Sequence, residues 1–194
     1  MRLFLAAPLP DGLQSALFEA LTSARRAAAQ ARWVRPGQLH LTLAFFGETD
    51  AALVPTLVDA LRPVGERHAP QTLALQGVGC FGRPHAPNVL FAELEGNLEG
   101  LRALQADVRT AVGPERLEPN PSRRPFHPHL TLARAKSRQG DAALSRCRRA
   151  LQHQALGAFL LERLVLFQSE LLPSGPAYTP LLAFPLGAAA AAHP

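Results

Sequence analysis

The pentapeptide His-Leu-Thr-Leu-Ala occurs twice in this chain, at His40–Ala44 and again at His129–Ala133. In a β-strand successive side chains point to opposite faces, so each copy places a histidine and a threonine together on one face. The leucines then lie on the other face, where they can be buried. Two such strands side by side bring together a pair of imidazoles and a pair of hydroxyls, a set of groups suited to acid-base chemistry.

Imidazole changes its protonation state near neutral pH, because its unperturbed pKa is about 6.5. One histidine can accept a proton from a nucleophile while the other, kept protonated by a neighbouring phosphate, donates one to the leaving oxygen. Threonine hydroxyls on the same face can donate hydrogen bonds to non-bridging phosphate oxygens. An ester that is already activated by ring strain needs no metal. The repeat therefore predicts phosphodiester chemistry at its four polar positions: His40, Thr42, His129 and Thr131.

The same residues also allow other interpretations. His127 and His129 are two positions apart and share a strand face, so with His40 they can offer three nitrogens to zinc. Against this, the segment 122–136 holds no Asp or Glu to orient the imidazoles or act as a base. One copy of the motif alone is also compatible with an ordinary half-exposed strand. Two identical copies in corresponding places favour the catalytic interpretation, without a metal or cofactor.

The charge of the chain is carried almost wholly by arginine. The 194 residues have a formal net charge of +5, and Lys136 is the only lysine. Guanidinium groups suit bidentate contact with phosphate, which mildly favours a polyanionic partner. No apolar run approaches 18 residues, so no membrane span or membrane partner is expected. Cys80 and Cys147 show neither metal-ligand spacing nor a disulfide framework, which is typical of a cytoplasmic protein.

The pattern of apolar residues predicts an α+β fold in which each half holds one copy of the motif. Strands are expected at 2–7, 39–46, 72–78, 88–93, 129–134, 159–169 and 178–186. Helices are expected at 11–30, 50–67, 97–112 and 141–156. The segment 113–128 contains five prolines and is expected to be a loop. Residues 1–194 are expected to form a single domain of two intertwined lobes, with 187–194 as a disordered tail.

Longer strings around the two motifs resemble a known family. Residues Trp33–Gly47 and Phe126–Arg134 are similar to the paired signatures of the two-histidine (2H) phosphoesterases. Within that superfamily the chain most resembles the RNA 2',3'-cyclic phosphodiesterases, also called 2'-5' RNA ligases, along nearly its whole length. The resemblance implies a bilobal fold with pseudo-two-fold symmetry, in which antiparallel sheets line a central cleft and helices pack outside.

The resemblance also implies roles for single residues. The expected reaction is hydrolysis of a terminal 2',3'-cyclic phosphate on RNA to a 2'-phosphomonoester. His40 would donate a proton to the departing 3' oxygen, and His129 would accept one from water. The phosphate would be held by Thr42, Thr131 and Arg134. The same site would run weakly in reverse as a 2'-5' RNA ligase, needing no nucleotide cofactor.

Further contacts with RNA are expected from residues near the motifs. Arg123 and Arg124 precede the second motif, while Arg32 and Arg35 precede the first, so both pairs can rim the cleft. Phe126 is a candidate platform for base stacking. The protein is expected to act as a monomer. Two alternatives stay open: a 2H phosphodiesterase acting on another cyclic or 2',5'-linked nucleotide or RNA end, and a non-catalytic RNA-binding relative.

Overall fold

A computed structural model of the chain describes residues 1–117, 125–137, 139–173 and 175–187. The strands are β1 (Arg2–Pro8), β2 (Arg32–Trp33), β3 (His40–Glu48), β4 (Gln71–Arg83), β5 (Ala86–Gly96), β6 (His129–Arg134), β7 (Ala155–Leu161), β8 (Arg163–Leu172) and β9 (Gly175–Pro185). The α-helices are α1 (Asp11–Ala20), α2 (Thr22–Ala27), α3 (Val54–Arg67), α4 (Leu98–Val112) and α5 (Ala142–Leu151). The predicted α+β class is confirmed. Residues 188–194 of the predicted tail lie outside the described residues.

The strands form one antiparallel sheet in the order β7-β4-β5-β6-β3-β1-β8-β9, with β2 paired to β6. The order is pseudo-symmetric about the contact between β6 and β3, because each of these motif strands is followed outward by three further strands. The two motif strands are joined by a single residue pair, Leu41 opposite Leu130. The halves of the predicted duplication thus share a continuous sheet. The cleft lies on the polar face of the motif strands.

The apolar face of both motif strands is buried. Leu41, Leu43, Leu130 and Leu132 are almost fully buried. Helix α4 packs against β3, and α5 packs against β4 and β5. Each buried leucine contributes about 1.5–3 kcal/mol, so this face determines which way each strand turns. The histidines and threonines are left, half-buried, on the opposite face.

Each motif strand carries a β-bulge directly after its threonine. The extra residue is Leu43 in β3, where the register against β1 shifts, and Leu132 in β6, where the register against β5 shifts. A bulge reverses the alternation of faces in the residues that follow it. Phe45 and Arg134, five positions after the two histidines, therefore return to the cleft face instead of entering the core.

The first predicted helix, 11–30, differs from the structure. It is divided at Leu21 into α1 and α2 and ends at Ala27. The chain then enters β2, where the Val34 N–H donates to the Leu132 carbonyl at 2.9 Å. Pairing with β6 satisfies these backbone groups in place of further helical turns, which alanine propensity alone cannot reveal.

Two later boundaries also differ. The helix predicted at 141–156 ends at Leu151, because residues 155–161 pair with β4 as an outer strand of the sheet. The strand predicted at 159–169 is consequently two strands, β7 and β8. The helix predicted at 50–67 is delayed rather than broken: Asp50 caps a short 3-10 turn, and α3 follows with Pro55 in its first turn.

No helix in the described ranges combines the length and the apolar character that crossing a bilayer requires.

Candidate functional site

The four polar motif residues come together because of the single pair that joins β3 to β6. Residues flanking an antiparallel pair face each other crosswise, so His40 lies opposite Thr131 and Thr42 lies opposite His129. The two imidazoles are therefore diagonal neighbours, a relation that typically separates residues by roughly 7–8 Å. All four side chains and Arg134 line one cavity of about 280 Å³.

Each imidazole is oriented by a backbone carbonyl two residues before it. His40 Nδ1 lies 2.7 Å from the Gln38 carbonyl oxygen, and His129 Nδ1 lies 2.8 Å from the His127 carbonyl oxygen. A carbonyl oxygen can only accept, so Nδ1–H is the donor in both contacts. In the neutral ring the lone pair is then on Nε2, which is the nitrogen that can exchange a proton with a substrate.

Aromatic rings from β1 and β9 hold the first imidazole. The ring of His40 lies 5.0 Å from Phe4 of β1 and 5.3 Å from Tyr178 of β9, the latter edge-on at 88°. Phe4 and Tyr178 also contact each other, with centroids 5.0 Å apart. Such contacts restrict ring rotation and so help to fix the direction in which Nε2 points.

The second imidazole has a corresponding aromatic setting. His129 lies edge-on to Phe81 at 4.9 Å and packs against Phe91 at 5.3 Å. The Phe91 ring lies over the backbone of Gly79, where a Cβ atom would come within 2.4 Å of Phe91 Cζ. Only glycine leaves room for this ring. The exposed His127 ring completes the cluster at 5.6 Å from Phe81.

The surroundings lower the pKa of both histidines. Burial is the main cause, since it disfavours the charged imidazolium, and the Nδ1 contact with the backbone partly opposes it. The positive charge of Arg134 also lowers the pKa of both rings. His127 further lowers the pKa of His129, while His129 lowers that of His40. The neutral form of each imidazole is therefore favoured in the free protein.

One wall of the cavity was not anticipated from the sequence. It consists of polar groups on the His40 side: Arg2, Gln38, Ser169 and Tyr178. Burial raises the pKa of the Tyr178 hydroxyl, although nearby Arg134 and Arg2 favour its ionised form. Tyr178 is the only tyrosine in the chain, but only the pairing of β8 and β9 beside β1 shows that it belongs to the site.

The other predicted RNA contacts are placed differently. Arg35 is exposed in the turn after β2, outside the lining of the cavity, and Phe126 is half-buried against the hydrophobic core. Arg123 and Arg124 lie outside the described residues. Three or more His, Cys, Asp or Glu side chains do not converge as a metal-binding group anywhere in the described part of the chain. His40, His127 and His129 thus do not form the three-nitrogen zinc site there.

The chain can now be placed among known proteins. Residues 10–171 match the model of the 2'-5' RNA ligase superfamily. The chain is 37% identical over 190 residues to an RNA 2',3'-cyclic phosphodiesterase of Thermus thermophilus, covering 96% of this chain and 90% of that protein. It is 29% identical over 191 residues to a protein of the same name from Methanothermobacter thermautotrophicus, covering 96% and 99%.

Solved structures show the same fold. A crystal structure of a protein from Thermus thermophilus superposes with a TM-score of 0.76 at 34% identity, covering 96% of this chain and 98% of that chain. E. coli LigT in complex with 3'-AMP superposes with a TM-score of 0.74 at 26% identity, covering 95% and 97%. Family match, fold and paired motifs agree: the chain belongs to the 2'-5' RNA ligase superfamily of two-histidine phosphoesterases.

Proposed function

We propose that this protein hydrolyses 2',3'-cyclic phosphate ends of RNA to 2'-phosphomonoesters by metal-independent acid-base catalysis with two histidines. The observation that carries the proposal is the crosswise arrangement of two imidazoles and two hydroxyls in one cavity, with both Nδ1 atoms occupied by backbone carbonyls. The relatives named RNA 2',3'-cyclic phosphodiesterase support the choice of substrate.

In the proposed reaction the protons move between the two Nε2 atoms and the reacting oxygens. His129 Nε2 takes a proton from water as its oxygen attacks phosphorus, and the bond between phosphorus and the 3' oxygen breaks. His40 Nε2 donates a proton to that oxygen, which leaves as the 3'-hydroxyl. The non-bridging oxygens accept hydrogen bonds from Thr42, Thr131 and the guanidinium of Arg134. The ring strain of the cyclic ester is released in this step.

The substrate itself supplies the protonation state that catalysis needs. In the free protein the pKa of both histidines is lowered, so a protonated donor is disfavoured. A phosphodiester anion beside the imidazoles favours an imidazolium and offsets the positive charge of Arg134. We therefore infer that substrate binding favours protonation of the donor His40, while the base His129 stays neutral.

This coupling predicts a particular pH dependence. The profile of kcat/KM should be bell-shaped with its maximum below about pH 6.5, because both limbs report histidines of the free protein whose pKa values are lowered. The alkaline limb of kcat should lie at higher pH, because the bound phosphate raises the pKa of the donor. Initial rates measured with an oligonucleotide substrate across pH 4.5 to 9 (about the range in which imidazole titrates) check this. A flat profile would contradict catalysis by two imidazoles.

Weak 2'-5' ligation follows from the same geometry. If the 5'-hydroxyl of another RNA takes the place of water, His129 can deprotonate it and a 2'-5' linkage forms. Hydrolysis should dominate in dilute solution, because water is concentrated and a second RNA end is not.

Identification of the product tests the proposal directly. Protein freed of metals with EDTA should convert an oligonucleotide ending in a 2',3'-cyclic phosphate to the 2'-phosphomonoester, at an unchanged rate when chelator is present. Loss of turnover on chelation would contradict the metal-independent mechanism, and a 3'-phosphate product would contradict the direction of bond cleavage. Turnover of only another cyclic or 2',5'-linked nucleotide would change the substrate, and tight RNA binding without turnover would indicate a non-catalytic relative.

A further inference from the structure

Two arginines lie directly opposite each other where β2 joins the sheet. Arg32 pairs with Arg134 across the antiparallel β2–β6 contact, and Trp33 pairs with Ala133. Residues paired in this way share a face of the sheet, with Cβ atoms about 5 Å apart. Both arginines are exposed. The β2 segment thus places a second arginine beside the one that lines the cavity.

Arg32 shares a face of the sheet with Arg134, its partner in the pairing of β2 with β6, and Arg134 lines the cavity. Trp33 occupies the other side, where it packs against the core. Its indole Nε1–H donates to the Ala28 carbonyl at 3.0 Å. This contact fixes the backbone that carries Arg32.

The two arginines place like charges on adjacent strands. Like charges directly opposite each other on neighbouring strands are destabilising. Within the described ranges, neither Arg32 nor Arg134 forms an ion pair with a carboxylate. An anion bound between or beside the two guanidinium groups would relieve the repulsion, and guanidinium groups bind phosphate through paired N–H donors.

The two arginines differ in their distance from the histidines. Arg134 lines the cavity and lowers the pKa of both imidazoles, whereas Arg32, paired with it across the strands, is neither in the cavity lining nor among the charges that shift those pKa values. Arg32 is therefore placed beyond the phosphate that reacts. An RNA chain offers a second phosphate in that region, on the 5' oxygen of its terminal nucleoside, but a cyclic mononucleotide does not.

We propose that Arg32 binds the RNA phosphate next to the one held by Arg134, so that the site selects a polynucleotide end over a cyclic mononucleotide. This inference rests on the proposed function and deepens it. The pairing of β2 with β6 assigns the selection to Arg32.

Kinetics with two substrates of different length test this role. Turnover is compared between adenosine 2',3'-cyclic phosphate and the dinucleotide ApA with a terminal 2',3'-cyclic phosphate, which carries one further phosphate between its nucleosides. The substitution Arg32→Gln should lower kcat/KM for the dinucleotide about tenfold, the effect of one lost charge-assisted hydrogen bond. The loss for the mononucleotide should be no more than about twofold, roughly a third of that effect in free energy. The slope of log kcat/KM against log salt should become shallower by about 0.7 for the dinucleotide.

Two further variants make the comparison specific. Arg32→Lys keeps the charge and should recover much of the dinucleotide rate. Arg149→Gln removes an exposed arginine from α5 and serves as the matched control, with no change in the ratio between the substrates. Equal losses on both substrates for Arg32→Gln, or the same change of ratio in the control, would overturn the inference.

A binding measurement separates this inference from the proposed function. Calorimetry with the two 2'-phosphomonoester products requires no turnover, and Arg32→Gln should weaken the dinucleotide product about tenfold more than the mononucleotide product. An Arg32-dependent affinity in a protein that hydrolyses neither cyclic substrate would refute the proposed function and leave the phosphate site standing. Turnover of both substrates with affinities independent of Arg32 would refute the phosphate site and leave the proposed function standing.

Discussion

Replacement of either motif histidine by alanine should lower kcat by about 10²–10⁴-fold, the usual contribution of a positioned acid or base. The double variant should be no slower than the worse single variant, because each imidazole works only when the other is present. Turnover of an oligonucleotide with a 2',3'-cyclic end measures the effect. Circular dichroism should show an unchanged fold, because His40 and His129 are only half-buried on the cleft face.

The pH profiles of these variants assign the two roles. His40→Ala should abolish the alkaline limb of kcat/KM, which reports loss of the donor's proton, and His129→Ala should abolish the acid limb, which reports protonation of the base. His153→Ala is the control, because His153 is exposed and its contact with the Gln76 side chain is made through the backbone carbonyl, which the substitution keeps. If His40→Ala lost the acid limb and His129→Ala lost the alkaline limb, the roles of donor and acceptor would be exchanged. Wild-type rates in either variant would exclude the mechanism.

The substitution Arg134→Gln should lower kcat/KM by about 10²–10³-fold, comparable to removal of one donor that stabilises developing charge. The guanidinium lines the cavity with both histidines, and its positive charge lowers the pKa of both. Arg134→Lys should show an intermediate loss, because an ammonium keeps the charge but cannot form the planar, two-pronged contact. Steady-state kinetics of the three proteins on one cyclic-phosphate substrate provide the comparison.

A second readout separates a role in the site from a general structural effect. Without the guanidinium, the pKa of both histidines should rise, so the maximum of the kcat/KM profile in Arg134→Gln should move to higher pH. Arg149→Gln, on the surface of α5, should leave both rate and profile unchanged. An unshifted profile in Arg134→Gln would mean that its charge does not act on the imidazoles, whatever the change in rate.

The positions of most elements could be predicted from the chain alone. Strands 39–46 and 129–134 at the two motifs and helix 97–112 follow from apolar periodicity and capping, because local preference and tertiary environment agree there. The helix predicted at 11–30 extends too far, since the alanine-rich sequence favours helix up to the point where β2 pairs with β6. The prediction for residues 155–161 is wrong for the same reason, because their pairing with β4 is a long-range interaction without a local signal.

The sequence by itself determined which groups do the chemistry. The alternation of His-Leu-Thr-Leu buries the leucines and leaves histidine and threonine on the other face, whatever the rest of the fold does. It also identified the family, since the flanking strings accompany both copies. It could not decide how the two copies meet, because identical motifs contain no information about register.

Only the tertiary structure decided the geometry of the site. One pair between β3 and β6 places each histidine opposite the threonine of the other motif. The bulges after the threonines turn Phe45 and Arg134 into the cleft, where strict alternation would have buried them. The two motifs differ physically at this position, which carries an aromatic ring on one side and a guanidinium on the other. The guanidinium lowers the pKa of both histidines, while His127 lowers that of His129 and His129 lowers that of His40, so the two rings differ through contacts that the repeated pentapeptide does not contain.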